Sequence, residues 1–464
     1  MNRLSVLNRL GDILKEVDGI SPESSGKTND SIVTTIYDRA ETIARRVVSR
    51  SEKPPVDWDK KLDDILTSRA FGFPSMLLLL GFVFWITVTG ANIPSEILAT
   101  AFFWGQDRLT DLCHWLNAPA WVNGLFVEGI YRSLAWVVSV MLPPMAIFFP
   151  FFTLLEDSGY LPRVAFNLDR FFKKAGAHGK QSLTMSMGFG CNAAGIVACR
   201  IIESPRERLI AMLTNNFVPC NGRYPTLIAL AGLLVFGTSA TLGSTVVVVG
   251  LVLLGITVTL AVSWTLSKTL LRGVPSSFTL ELPPYRKPQL GKIIIRSIFD
   301  RTLFVLRRAV SVAAPAGAII WLLANINIGD ASILTHAANW LNPLGQFLGM
   351  DGYILMAFIL GLPANEIVLP ILIMSYLSTG SMTELDSLAD LYNLFVVQHG
   401  WTWLTVICTM LFSLLHYPCA TTLWTIRRES GSMKWTALAA LIPLTVACMV
   451  CFFLAQSARL LGLV

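Results

Sequence analysis

Charge is what this chain has least of. Asp, Glu, Lys and Arg together make up 14% of its 464 residues, where a soluble chain of this size carries about 25%. That shortage excludes an ordinary soluble enzyme and fits a chain that shows apolar surface to lipid. Histidine is also scarce, at five residues, and no HExxH pair or nucleophile–base pair is present, which leaves no recognisable enzyme site. The eight cysteines include no two CxxC pairs of zinc-module spacing, and Cys448-Met-Val-Cys451 stands alone in an apolar run. Seven of the eight lie in apolar segments, which argues against a disulfide framework. Ser25-Gly26-Lys27-Thr28 resembles the end of a phosphate-binding loop. Ser21 stands where the loop's first glycine belongs and no apolar strand precedes it, so it reads as linker. No cleavable signal peptide is expected, because Met1 to Lys15 lacks an apolar core and a small-residue cleavage site.

What is abundant is apolar: hydrophobic residues form 53% of the chain, with 13 Trp and 26 Phe, as membrane spans with interfacial aromatic belts require. The net charge of +6 does not point to nucleic acid, because the basic residues gather in loops between apolar spans. Of 36 Lys and Arg, 32 fall in residues 1–72, 157–208, 268–308 and 426–434, while loops 328–352 and 377–400 contain none. The positive-inside rule then puts the N-terminus and the first three basic stretches in the cytoplasm and 93–132 outside. Gln181 to Cys199 has basic flanks on both sides and Ile354 to Tyr376 has none on either. Each is expected to enter the bilayer and return, from opposite faces.

Two halves with one order follow. The first runs span 133–155, re-entrant element 181–199, proline-broken span 209–235 and span 242–266. The second runs span 309–324, re-entrant element 354–376, proline-broken span 403–425 and span 435–454. The expectation is an all-α polytopic membrane protein built from two inverted repeats with broken, re-entrant helices, the plan of many secondary transporters. Its parts are a cytoplasmic helical arm (1–72), a first span with an external interfacial segment (73–132), a first repeat (133–270), a basic cytoplasmic loop (271–308) and a second repeat (309–464). Breaks are expected at Gly188-Phe189-Gly190, Pro219, Gly361-Leu362-Pro363 and Pro418, with further ones in the 133–155 span at Pro143-Pro144 and at Pro150.

A broken helix at lipid depth frees backbone carbonyls that only protein or a wet cavity can satisfy. Polar side chains beside such breaks are costly and mark pathways. Cys191, Asn192, Cys220, Asn221, Asn365, Glu366, Cys419 and Thr421 are therefore the candidate metal or substrate residues, with Arg223 and His416 as weaker candidates. Each has a plainer reading. The thiols can be small packing residues, the asparagines caps of half-helices, Glu366 a proton site or ion-pair partner. Arg223 fits a structural role best and His416 that of a hydrogen-bonded core histidine. Cys408, Cys448 and Cys451 have no break beside them and read as apolar filler. Sulfur, amide, carbonyl and carboxylate donors together suit a first-row divalent ion better than Mg²⁺ or Ca²⁺.

Several strings resemble the ferrous iron transporter B family, FeoB. Leu154-Leu155-Glu156-Asp157-Ser158-Gly159-Tyr160 is similar to its LLEDSGY segment and Gly188-Phe189-Gly190-Cys191-Asn192 to its GFGCN motif. Cys220-Asn221-Gly222-Arg223-Tyr224-Pro225, Glu281-Leu282-Pro283-Pro284-Tyr285-Arg286, Pro418-Cys419-Ala420-Thr421 and Arg427-Arg428-Glu429 follow in the family's order. The resemblance implies two Gate-type repeats of opposite orientation in the bacterial inner membrane, Fe²⁺ as substrate and no permanently bound cofactor. It also implies a separate GTP-binding protein, a small FeoA-like protein and a homo-oligomer as partners beside the lipid. Two departures stand out: the family's usual Ala-Lys-Glu is Ala364-Asn365-Glu366 here, and Ala193-Ala194 replaces the usual Val-Pro. These bear most on which metal is carried. Two rival readings remain. One is a transporter of an organic solute such as a nucleoside, with Phe189, Tyr224 and Trp424 available for stacking. The other is a non-transporting scaffold or sensor subunit.

Overall fold

The computed structural model describes residues 22–47, 58–68, 71–235, 240–273, 285, 289–383, 385 and 387–463. Met1 to Lys15, the Pro54-Pro55 turn and all of the 281–286 string except Tyr285 lie outside them. The described chain is helical apart from one short hairpin, Asn327–Ile328 against Ala331–Ser332.

Two arm helices come first, α1 (Pro22–Val47) and α2 (Trp58–Leu66). The Ser25–Thr28 string lies within α1 rather than in a linker. Then α3 runs unbroken from Gly72 to Trp115, 44 residues, or about 66 Å at 1.5 Å per residue. This differs from the expected span plus separate interfacial segment. Pro94 removes one hydrogen bond from α3 without ending it. The following helix, α4 (Ala120–Asp157), also continues through Pro143, Pro144 and Pro150, so the breaks expected at Pro143-Pro144 and Pro150 are absent.

The remaining helices fall into two series of the same order. The first is α4, α5 (Tyr160–Lys174), α6 (Gln181–Gly190) with α7 (Asn192–Ala198), α8 (Pro205–Thr214) with α9 (Tyr224–Leu234), and α10 (Ala240–Lys268). After a connecting helix, α11 (Leu290–Arg296), the second is α12 (Leu303–Asn325), α13 (Ile333–Phe347), α14 (Gly352–Leu360) with α15 (Val368–Leu377), α17 (Trp403–Leu415) with α18 (Ala420–Ser430), and α19 (Met433–Leu460). A short helix, α16 (Leu388–Tyr392), precedes α17. Helices α5 and α13 are equivalent members of the two series and fall where the charge pattern alone predicts loops. Gly159, at φ +86°, turns the chain from α4 into α5, a conformation glycine adopts without strain. Helices α13 and α14 meet at 111°.

Local chemistry starts these pieces. Ser204 accepts the Glu207 N–H ahead of Pro205, the S-x-x-E capping pattern with proline at the first helical position. Asp351 accepts from Ile354 N at 2.8 Å and starts α14, and Thr402 does the same for α17. The half-helices α6, α7, α14 and α15 have 7 to 10 residues, about 10–15 Å, half the ~30 Å hydrocarbon core. They cannot cross singly.

Among the described residues, six helices are long and apolar enough to cross a membrane. The broken 403–430 stretch is the most enclosed, 72% buried, against 20%, 17% and 22% for spans in α3, α10 and α19. Broken elements thus occupy the centre and unbroken ones face lipid, with Leu78, Trp85, Val246 and Phe453 exposed. Across the centre the series interlock: α7 packs on α18, and α9 on α17.

On the arm side, Arg163 of α5 is buried and grips Asp63 of α2 through Nε–Oδ1 (2.9 Å) and Nη2–Oδ2 (3.2 Å). Its guanidinium stacks 4.1 Å over the Tyr285 ring, whose hydroxyl donates to the same Asp63 at 2.9 Å. The Arg163 hydrogen bond holds the Asp63 carboxyl below its ordinary pKa, and burial and Asp63 raise the Tyr285 phenol to about 12. A depressed carboxyl stabilises the fold fully above the ordinary carboxylate range and loses that stabilisation as pH falls through the lowered value. Asp63→Asn should therefore loosen the arm at neutral pH, read as several-fold faster trypsin cleavage within residues 39–61 of membrane-embedded protein. The wild-type arm should loosen only at strongly acid pH.

Candidate functional site

The interruption in the first short element falls at Cys191, not at the glycines before it. Gly188–Gly190 complete α6, and Cys191 alone is extended, at φ −154° and ψ 124°. Those glycines provide close approach instead: a Cβ on Gly190 would sit 2.2 Å from the Phe148 ring. In the second element the same step falls at Ala364, at φ −153° and ψ 126°. Cys191-Asn192-Ala193 and Ala364-Asn365-Glu366 therefore occupy matching backbone positions. The proline-broken spans match as well. Cys220 (φ −84°, ψ 168°) and Cys419 (φ −59°, ψ 157°) are the extended residues before their second half-helices. Pro225 lies inside the first turn of α9 and breaks nothing.

The four interruptions meet. Cys191 and Asn192, Cys220, Asn365 and Glu366, and Cys419 and Thr421 all line one small cavity of about 30 Å³. That is room for about one water molecule or ion. Met141, Met145, Gly222 and Thr422 complete much of the wall. Glu366 is 6% exposed, and its carboxylate packs flat on Gly222, where a Cβ would lie 2.0 Å from Oε1. Asn365 Nδ2 lies 3.9 Å from Cys220 Sγ, and Cys419 Sγ lies 3.2 Å from Thr422 Oγ1. Three thiols, two thioethers, two amides, two hydroxyls and one carboxylate thus share a wall. Among the described residues no three His, Cys, Asp or Glu side chains are grouped closely enough to cage a metal.

Three candidates lie off this cavity. Asn221 lines a neighbouring cleft with Thr87, Phe148 and Phe189. His416 is 1% exposed; its Nδ1 bonds the Phe412 and Ser413 carbonyls, both at 2.9 Å, so that nitrogen carries the proton. Its ring packs among Phe358, Phe412 and Tyr417, the core-histidine reading. Arg223 is 1% exposed and bonds backbone carbonyls and Asn216, not a carboxylate. Cys408 and Cys451 are buried together away from the cavity.

Sequence reasoning missed Asn215 and Asn216, whose adjacent amides in an apolar run just before Pro219 were the available signal. Asn215 Nδ2 reaches the Asn192 carbonyl and side chain at 3.4 Å. Asn216 takes Asn192 Nδ2 at 3.4 Å and donates to the His416 carbonyl at 2.6 Å. It also missed Met141 and Met145, which look like ordinary span residues. Gly222→Ala should push the Glu366 carboxylate out of place. The expected result is loss of most solute flux with at most the ~1–3 kcal/mol destabilisation of an overpacked core, measured by vesicle uptake beside thermal unfolding in detergent.

Residues 138–234 and 306–433 are similar to the Gate family, described as nucleoside recognition, and residues 248–300 to the C terminus of ferrous iron transport protein B. Along 98% of its length the chain is 31% identical to the Fe(2+) transporter FeoB of Staphylococcus aureus (strain MSSA476), spanning 67% of that protein. It is 27% identical over 98% of its length to the Methanocaldococcus jannaschii Fe(2+) transporter FeoB, again spanning 67%. Identity is also 27%, over 85% of this chain and 51% of the relative, to a Fe(2+) transport protein A/FeoB fusion protein of Porphyromonas gingivalis. The chain thus spans about two thirds of the FeoB relatives' length and half of the fusion. A solved structure of CNTnw in an inward-facing substrate-bound state aligns with 85% of this chain and 100% of that one, at 15% identity and a TM-score of 0.37. A match of that size carries no argument.

Proposed function

This chain belongs to the FeoB family of ferrous iron transporters, and we propose that it passes Fe²⁺ across the membrane through the cavity between its four helix breaks. The observation that carries this reading is the cavity itself. Elements from both series bring Cys191, Cys220, Cys419 and Glu366 to a space of about 30 Å³. An organic solute such as a nucleoside needs a pocket of roughly 300 Å³ or more. The size favours an ion over the nucleoside reading, and the sulfur-rich lining favours a transition metal over Mg²⁺ or Ca²⁺.

The ion enters partly hydrated. Thiol, amide and backbone oxygen groups replace some of its water, and Glu366 supplies negative charge. The absence of a three-ligand cage among the described residues suits transport, because an ion held by a full protein cage would not leave. Asn192 and Asn365 share the positions after matching extended residues and act as a pair of neutral oxygen ligands from opposite sides. Asn365 stands where the family's lysine is usual. Removing that positive charge leaves the field of Glu366 less opposed and favours cation entry.

The chain carries no enzyme chemistry in this reading. It lies in the bacterial inner membrane with its N-terminus in the cytoplasm, α6–α7 entering from inside and α14–α15 from outside, as the distribution of Lys and Arg supports. Metal moves from the outer face to the cytoplasm. A separate GTP-binding protein docks on the arm and the 268–308 loop, and a small FeoA-like protein and a homo-oligomer complete the assembly. The FeoA/FeoB fusion relative favours the FeoA partner.

Reconstituted protein should carry ⁵⁵Fe²⁺ and not labelled nucleoside into vesicles. Cys191→Ser and Cys220→Ser should each cut iron uptake at least tenfold, on the scale of about 1.4 kcal/mol in transition-state stabilisation, with normal membrane insertion. Wild-type uptake in the double variant removes the thiols from the pathway; nucleoside flux without iron flux replaces the reading altogether.

A further inference from the structure

We infer that Arg223 is a positioning residue that fixes the two broken spans to each other and so sets the spacing of Cys220 and Cys419 across the cavity. The argument begins with the breaks. Interrupting α8–α9 and α17–α18 frees carbonyls at a depth where lipid cannot solvate them. The Arg223 fork collects them from both spans. Nη1 donates to Asn216 O at 2.9 Å and Leu414 O at 2.6 Å. Nη2 donates to His416 O at 3.1 Å, Tyr417 O at 3.2 Å and Asn216 Oδ1 at 3.1 Å.

Each end of this clamp is tied to a cavity residue. Cys220 lies three residues before Arg223, and Cys419 two residues after Tyr417. Asn216 extends the network to Asn192, beside Cys191. A single guanidinium therefore registers three of the four breaks. The device is not repeated. Counting from each Pro-Cys pair, Thr422 takes the place of Arg223, and it reaches only its own Cys419. None of the ion pairs among the described residues involves Arg223, so its bonds go to backbone carbonyls and the Asn216 side chain. Lysine keeps the charge but has three donors on one atom and cannot span the two sets of carbonyls.

This inference rests on the iron-transport reading, and the test separates the two. In Arg223→Lys, inserted at wild-type level, the KM for Fe²⁺ should rise roughly tenfold and discrimination of Fe²⁺ over Mn²⁺ should fall several-fold. Cys220 and Cys419 should also be alkylated several-fold faster by a small maleimide in membranes. A merely structural role would lower flux of every ion in proportion to folded protein and leave KM, selectivity and labelling unchanged, which overturns the inference. Should Arg223→Lys fail to insert, Asn216→Ala removes the link to Asn192 and His416 while keeping the arginine. It must shift KM and labelling in the same direction, and no shift again overturns the inference. Labelling does not depend on flux. Faster labelling of the variant, with no iron flux even in the wild-type protein, would keep the clamp and refute the transport reading.

Discussion

A backbone carbonyl released inside a membrane has to be met by protein, and the centre of this molecule is arranged around that requirement. Four helical elements stop and restart at short breaks. Each interruption exposes polar backbone that would cost several kcal/mol if left to hydrocarbon. The interruptions are therefore gathered, and once gathered they satisfy one another. Arg223 takes carbonyls from two of them, Asn216 bridges to a third, and Asn365 lies against Cys220 of the first broken span. The small polar cavity is the space left between groups held in this way.

The same requirement divides labour among the helices. Unbroken spans satisfy their own backbone and can face lipid, and the apolar stretches of α3, α10 and α19 are only 20%, 17% and 22% buried. Broken ones cannot, and 403–430 is the most enclosed span. Close packing at the breaks then falls to glycine. Gly190 admits the Phe148 ring, and Gly222 admits the Glu366 carboxylate. These glycines stand beside the breaks because something else occupies the place of their side chains.

Much of this was legible in the chain itself. Low charge, apolar runs and the uneven placement of Lys and Arg indicate a polytopic membrane protein with paired broken elements, and Pro-Cys and Asn at corresponding points name most of the cavity wall. Proline was the poorer guide. Pro94, Pro143, Pro144 and Pro150 lie inside continuous helices, because one lost hydrogen bond is tolerated where neighbours support the helix. The first break falls at Cys191 rather than at the glycines. Helices α5 and α13 were missed because a charge tally does not register an amphipathic helix lying between spans.

Composition and order alone determined that the chain is helical, membrane-embedded, duplicated and interrupted at points carrying sulfur, amide and a single carboxylate, since period, charge placement and proline are local properties of the string. Only the tertiary structure decided which of those groups share a cavity, that His416 and Arg223 do not line it, and that Asn216 links three breaks. Contacts such as Arg223 to Leu414 join residues far apart in sequence, and no local pattern encodes which freed carbonyl a distant guanidinium will find.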